Sequence, residues 1–319
     1  MHVDPARRDS GPLVPRLQIF AAALCFSTGG AAIKLVHAGG WQVACLRAGL
    51  GGLALWLLLP SARRGWTRGA LAVGCAYAFQ SVLFALANKL TTAANTILLQ
   101  ATAPIYVVLL APWLLRERPR ARDLVSLAII AVGLVLIVRG EITPGLTAPN
   151  PALGNALALA SGVGWALTVV GLRWLASDAS RGGTMPAVVA GNAIAFVACL
   201  PLAFPIGGIE SRDWLLLGYL GVFQIGVSYA CLAAGVTRVH ALEASLLLLL
   251  EPVASPVWAW LVHGEAPGTG TLAGGALILL ATTTRSLFDG FLRPTPAPAP
   301  TSAPTAPPQN RDSPATPGT

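Results

Sequence analysis

Between Leu17 and Phe291 the chain is a succession of long apolar runs, broken by gaps too short to hold a polar domain. A helix that crosses a bilayer needs about 20 apolar residues. Ten such runs can be read, at 17–36, 41–60, 68–87, 92–115, 123–139, 152–174, 184–206, 213–236, 240–262 and 268–288. In lipid the backbone must satisfy its own hydrogen bonds, so runs of this length are expected to be helical. Charge agrees with that reading. The 21 basic and 13 acidic side chains make up 11% of 319 residues, where a soluble domain carries roughly 25%, and the mean hydropathy is +0.67. A water-soluble domain is excluded, and the expected fold class is an all-α integral membrane protein with ten transmembrane helices.

The net charge of +8 does not point to nucleic acid, because the arginines sit in the gaps between runs and not on one solvated face. Their placement orients the chain instead. With the N-terminus cytoplasmic, sixteen basic residues fall inside and three (Lys89, Arg139 and Arg212) outside, with Lys34 and Arg47 within spans. That asymmetry puts the N-terminus in the cytoplasm, and an even number of spans brings the C-terminus to the same side. Met1–Pro15 is polar and leads into a span too long for a signal-peptide core. Residues 1–14 are thus expected to be a cytoplasmic segment, and 293–319, rich in Pro, Ala and Thr, a disordered cytoplasmic tail. Cys25, Cys45, Cys75, Cys199 and Cys231 all lie in apolar runs without metal-type spacing, so they read as small buried hydrophobes. A composition rich in Ala, Gly and Arg and poor in Lys fits the codon usage of a high-GC bacterium, and the expected location is the bacterial inner membrane.

Spans four and nine resemble each other. Ala93–Glu117 aligns without gaps to Ala241–Glu265, with six of 25 positions identical. In both a mid-span proline is followed by a glutamate thirteen residues on, Pro104/Glu117 and Pro252/Glu265. Spans one and six echo more faintly, Phe26–Lys34 against Trp165–Arg173. A five-span repeat makes an odd number of crossings, so the second copy should enter from the opposite face. The loops obey this: Arg116, Arg118, Arg120 and Arg122 follow span four, whereas the loop after span nine has no Lys or Arg. The expected domains are therefore two inverted five-helix repeats, 15–140 and 151–289. Inverted repeats with proline-interrupted spans are the pattern of secondary transporters, whose substrate site lies between the halves near the midplane.

With these residues the chain resembles the EamA-type ten-span members of the drug/metabolite transporter superfamily. The resemblance rests on A-x(10)-P-x(12)-E in both halves, on Leu246–Pro256 (LLLLLEPVASP), on Ala31–Lys34 (AAIK) and on Arg47, and covers about residues 17–288. The chain departs from the family where Arg116–Arg118 reads Arg-Glu-Arg in place of Gly-Glu-Arg, and where His263–Glu265 lacks a following basic residue. The resemblance implies a two-bundle fold, alternating access and a carrier, often an exporter, of small metabolites such as amino acids, amines or related compounds. No cofactor and no metal are expected; the expected partners are a small-molecule substrate and the lipid bilayer, with a proton as the candidate coupling ion.

Polar residues inside spans are the site candidates. A charge at mid-span costs roughly 2.5–3.5 kcal/mol on insertion scales, so Glu251 should face protein or a water-filled cavity. It is a candidate for substrate contact or proton coupling; the structural alternative is a carboxyl bonded to backbone that Pro252 leaves free. Glu243, one turn inside the same span, is the second coupling candidate. Arg47 can bind a substrate carboxylate or phosphate. Lys34 could do so too, but it lies close enough to the external end of span one to snorkel. Tyr77, Gln80, Asn95, Gln100, Trp165, Asn192, Gln224 and Tyr229 could line the cavity or act as helix–helix glue. Pro104 and Pro252 are candidate hinges, and Glu117 and Glu265 read as interfacial structure. No H-E-x-x-H, G-x-S-x-G or metal-type cluster supports an enzyme. A channel would call for a carboxylate ring or filter-like loop. A non-transporting receptor or scaffold, the alternative reading, has no use for matching mid-span prolines.

Overall fold

The computed structural model describes residues 13–114, 121–139, 147–236, 238–239, 244 and 247–292. Among them the chain is helical, with no strand. Its elements are α1 (Leu13–Ser27), α2 (Gly29–Leu35), α3 (Gly40–Leu58), α4 (Arg68–Leu90), α5 (Ala93–Gln100), α6 (Ala103–Leu114), α7 (Ala121–Arg139), α8 (Pro151–Ala176) and α9 (Thr184–Ala203). There follow α10 (Ser211–Gly218), a π-helical stretch (Tyr219–Val227), α11 (Ser228–Val236), α12 (Leu250–His263) and α13 (Thr269–Leu292).

Among the described residues, six helices are long and apolar enough to cross a membrane: Leu13–Leu35, Gly40–Leu58, Arg68–Leu90, Pro151–Ala176, Thr184–Ala203 and Ser211–Val236. Val125–Arg139 and Thr269–Thr284 are shorter apolar helices, and the fourth and ninth expected spans are interrupted. Proline explains those interruptions. It lacks an N–H and its ring collides with the carbonyl four residues back; for Pro104 that carbonyl belongs to Gln100, where α5 ends, and for Pro252 to Leu248, beside the turn at Leu249. The tail and Glu243 lie outside the described residues.

Helix starts follow from capping. Thr67 accepts from the Ala70 amide at 3.1 Å, Thr92 from Asn95 at 3.2 Å, and Asn150 from Leu153 at 3.2 Å with Pro151 behind it, each satisfying an orphan N–H. Gly264 closes α12 at φ +67°, a conformation glycine enters without steric cost.

Small residues set the packing. At Gly274 a Cβ would lie 2.3 Å from the Gly133 carbonyl, so α7 and α13 meet backbone to backbone. One core cluster gathers Ile33, Val36, Val43, Cys45, Leu217 and Leu220; another gathers Ile97, Leu99, Ile130, Ile137 and Ile278. The outer surface is apolar, with Leu53, Val132, Val197, Leu215 and Leu261 exposed, as a lipid-facing surface requires. Two polar ends bound it. One holds Lys34, Leu90–Ala93, Asn150 and Glu265. At the other, Gly183 donates to the Gly65 carbonyl at 2.8 Å, and Arg63 and Arg181 each lie 5.0 Å over a tryptophan ring, Trp56 and Trp174. Basic side chains stacked on aromatics suit a membrane–water interface.

Candidate functional site

A cavity of about 350 Å³ lies at mid-length between helices of both halves. α4 supplies Tyr77, Gln80 and Phe84, whose spacing places them on one helix face. α5, the break after it and the start of α6 supply Ile97, Gln100, Ala101 and Pro104, and α8 supplies Trp165. From the later half come Gln224, Tyr229, Leu249, Glu251 and Pro252, with Leu279 and Thr282 on α13. Arg47 enters from α3 and Phe26 from α1.

The walls are aromatic and the polar groups few. Tyr229 meets Phe26 edge-on at 5.1 Å between ring centroids and Tyr77 at 6.1 Å, both favoured geometries. Gln100 Nε2 donates to Gln80 Oε1 at 3.0 Å and to Ser161 Oγ at 2.7 Å, and Ser161 donates to the Gln80 carbonyl at 3.1 Å. That triangle holds two of the glutamines in fixed orientation.

Arg47 and Glu251 are less well provided for. Arg47 is 5% exposed; its Nη2 donates to Ser81 Oγ at 3.1 Å and its guanidinium lies 5.9 Å over the Phe84 ring. Nη1 has no hydrogen-bond partner, and no carboxylate pairs with Arg47 among the described residues. An uncompensated buried charge is strongly unfavourable, by roughly 3–5 kcal/mol. Glu251 is half-buried at the cavity and likewise forms no ion pair there. Gln224 adds a buried Oε1 without a partner. Arg47 and Gln224, whose unpartnered Nη1 and Oε1 are themselves buried, and Glu251 therefore all belong to the lining of one cavity.

Eight of the cavity candidates from the sequence (Arg47, Tyr77, Gln80, Gln100, Trp165, Gln224, Tyr229 and Glu251) lie on this one space, as do Pro104 and Pro252. Asn95 is placed elsewhere: fully buried, it donates to Asn155 at 3.3 Å and accepts from Thr271 at 2.9 Å, tying α5 to α8 and α13. Asn192 also lies off the cavity, where its Nδ2 donates to the Val188 carbonyl at 2.9 Å. Lys34 does not snorkel. Its side chain is 3% exposed and pairs with Glu265 at 3.0 Å. Phe26, Phe84 and the leucines were not anticipated from the sequence, because apolar residues in apolar spans carry no contrast; the i, i+3, i+7 stripe through Tyr77 and Gln80 could have found Phe84.

Comparison with known proteins gives this arrangement a setting. The model of the EamA-like transporter family matches residues 16–139 and 152–285. An uncharacterized transporter of Clostridium kluyveri is 24% identical over 193 residues, 60% of this chain and 62% of that protein. Another, of Archaeoglobus fulgidus, is 28% identical over 192 residues, 59% of this chain and 65% of that protein. The matched region is thus less than two thirds of the length of these curated relatives. A solved crystal structure of a protein overlays on 86% of this chain and 96% of its own length, with a TM-score of 0.56 and 22% identity, a likeness of fold.

Proposed function

Because this chain belongs to the EamA-like transporter family, its sequence matching that family in two successive repeats, we propose that it is a secondary carrier exporting a small amino acid-like or amine metabolite. It would work by alternating access in a bacterial inner membrane. In this reading ten spans form two inverted five-span repeats, both termini are cytoplasmic, and the end that holds Lys34 faces outward. The repeats rock about the central cavity, with Pro104 and Pro252 as flex points and Glu251, with Glu243, on the path of a coupling proton.

One observation carries the reading: Arg47 and Glu251 line the same cavity of about 350 Å³, and neither has an ion-pair partner among the described residues. A carboxylate on the substrate would satisfy the guanidinium through charge-assisted hydrogen bonds. An ammonium, or a proton when no substrate is present, would satisfy the glutamate. Gln80 and Gln100 would orient the molecule and the aromatic rings would take its apolar part. The family hosts many substrates, so the site and not the fold carries this choice.

The test is flux of a pooled set of amino acids, amines and nucleosides through proteoliposomes, with and without an imposed pH gradient, comparing the native chain with Glu251→Gln. Gradient-driven flux that disappears in the variant supports a proton-coupled carrier. Equal flux in both returns Glu251 to a structural role beside Pro252. Absence of flux for every compound defeats the carrier reading and favours a receptor or scaffold.

A further inference from the structure

Lys34 and Glu265 come from opposite halves of the chain and meet at one polar end, Nζ to Oε1 at 3.0 Å, with their side chains 3% and 4% exposed. Glu265 Oε1 has the ion pair alone, without a hydrogen bond, while the other polar atoms of the pair are held by backbone. Lys34 Nζ donates to the Thr91 carbonyl at 2.7 Å and to the Thr147 carbonyl. Glu265 Oε2 accepts from the amide of Ala93 at 3.0 Å, the first residue of α5, where a helix N-terminus favours negative charge. Two residues before Glu265, His263 Nε2 bonds the Ala31 carbonyl at 2.9 Å. The cluster thus fastens α2, the start of α5 and the end of α12 to one another.

Stability alone is a poor reason for such a cluster. Desolvating two ions costs several kcal/mol, and a well-packed apolar pair of similar volume does as well or better. What an ion pair offers beyond an apolar contact is two comparable states. Closed, each ion satisfies the other in a dry site; parted, each is hydrated, whereas parted apolar side chains would expose greasy surface. The cluster is also well placed to act on the cavity. Gln100, on its wall, lies seven residues along α5 from Ala93, roughly 10 Å at 1.5 Å per residue, and α12 carries Glu251 and Pro252 on the cavity and ends in His263 at the cluster. Arg173, which the sequence echo between spans one and six matches to Lys34, is exposed. The two ends of the molecule therefore differ in this structure.

Resting on the carrier reading above, we propose that Lys34 and Glu265 are a gate that seals the cavity at their end, and that they separate whenever the cavity opens there. Ala93 holds the carboxylate in register, and Thr91 and Thr147 hold the ammonium.

The test reads accessibility and not flux, so it can fail or succeed independently of the substrate assignment. Cys25, Cys45, Cys75, Cys199 and Cys231, all unpaired, are replaced by Ala, and Ala101→Cys places one thiol on the cavity wall. A membrane-impermeant cationic methanethiosulfonate is then applied separately to each face of the membrane. With the gate intact, labelling from the Lys34 face is slow. Glu265→Gln, which leaves Lys34 its two carbonyl acceptors, is expected to speed labelling from that face alone by about tenfold or more. Lys34→Met should do the same, and serves if Glu265→Gln fails to fold. The double variant should label no faster than the faster single one, because the same link is already broken, and Lys34→Arg should label slowly. Folded single variants that label at the native rate overturn the proposal, as does acceleration shared equally by both faces or a double variant whose effects multiply.

Discussion

Two helix crossings in this molecule correspond to one another in the order of the two repeats, and they are built differently. In one, α4 lies against α8; in the other, α10–α11 lies against α1–α2. The first is regular. α4 runs 23 residues and α8 26 without interruption, and the helices meet through Gly154 and Gly164. The second is irregular on both sides. α1 stops at Ser27 and α2 resumes at Gly29, while opposite them nine residues, Tyr219–Val227, widen into π-helix. The cause on the α1 side is local: Ser27 and Thr28 hydroxyls bond the Leu24 and Cys25 carbonyls at 2.7 Å, competing with the helix ladder beside a glycine pair. π-helical turns commonly sit at functional sites. The regular crossing behaves as a strut, and the irregular one leaves a buried amide oxygen of Gln224 without a partner at the cavity. Equivalent places in a repeated architecture are thus built differently, and in the carrier reading proposed above one serves support and the other recognition.

The largest expected effect lies in the strut. A Cβ at Gly154 would stand 2.6 Å from the Thr91 amide nitrogen and 2.9 Å from the Leu90 carbonyl carbon; at Gly164 it would stand 2.8 Å from Gln80 Cβ and 3.0 Å from the Gln80 nitrogen. Backbone cannot swing aside, so Gly154→Ala and Gly164→Ala should each cost about 1–3 kcal/mol. At Gly29 the nearest atom, 2.8 Å away, is Nε2 of Gln224, the far end of a flexible side chain. Gly29→Ala should cost less than about 1 kcal/mol, the order of a shifted rotamer. Thermal unfolding of the three variants in detergent decides it, and equal losses would erase the distinction between the crossings.

Next comes Gln100→Leu, which strips the amide that binds Gln80 and Ser161 on the strut side. A buried acceptor, Gln80 Oε1, is left unpaired, for an expected loss of about 1–3 kcal/mol in the same unfolding experiment. An unchanged midpoint would mean that the Gln80–Gln100–Ser161 triangle orients substrate without supporting the fold.

The comparison also shows what a sequence exposes. Hydropathy revealed the apolar helices, and Pro104 and Pro252 revealed where two spans break, because both signals are local. Facing direction is harder. Asn95 and Gln100 lie five residues apart, about 140° around a helix, so only one of them can point into a given cavity; hydrogen bonds to Asn155 and Thr271 take Asn95 the other way. Lys34 and Glu265 could not be paired in advance, since each reads singly as a span-end charge. Nor does any residue pattern in Tyr219–Val227 announce a wider helix, which depends on packing against α3 and α1.

Arg47 separates support from recognition more sharply than either crossing. Its guanidinium keeps a single hydrogen bond, to Ser81, and has no carboxylate partner among the described residues. Replacing a poorly compensated buried ion by an apolar side chain of similar length is often neutral or stabilising. Arg47→Met is therefore expected to raise stability by about 1 kcal/mol while abolishing flux. Measuring the unfolding midpoint and transport on the same preparation checks both halves. A midpoint that falls along with flux would make Arg47 part of the scaffold.

The smallest expected change in stability belongs to Gln224→Leu. Its Oε1 already lacks a partner, so the substitution removes an unsatisfied group where Gln100→Leu creates one. The asymmetry of buried polar groups, cheap to remove unpaired and costly to orphan, sets the expected shift within about 0.5 kcal/mol of zero. Flux is the readout that should move, because Leu cannot hydrogen-bond a ligand in the cavity. If unfolding shows Gln224→Leu to be as damaging as Gln100→Leu, then the irregular crossing is a strut as well, and its π-helical turn answers to packing and not to the cavity.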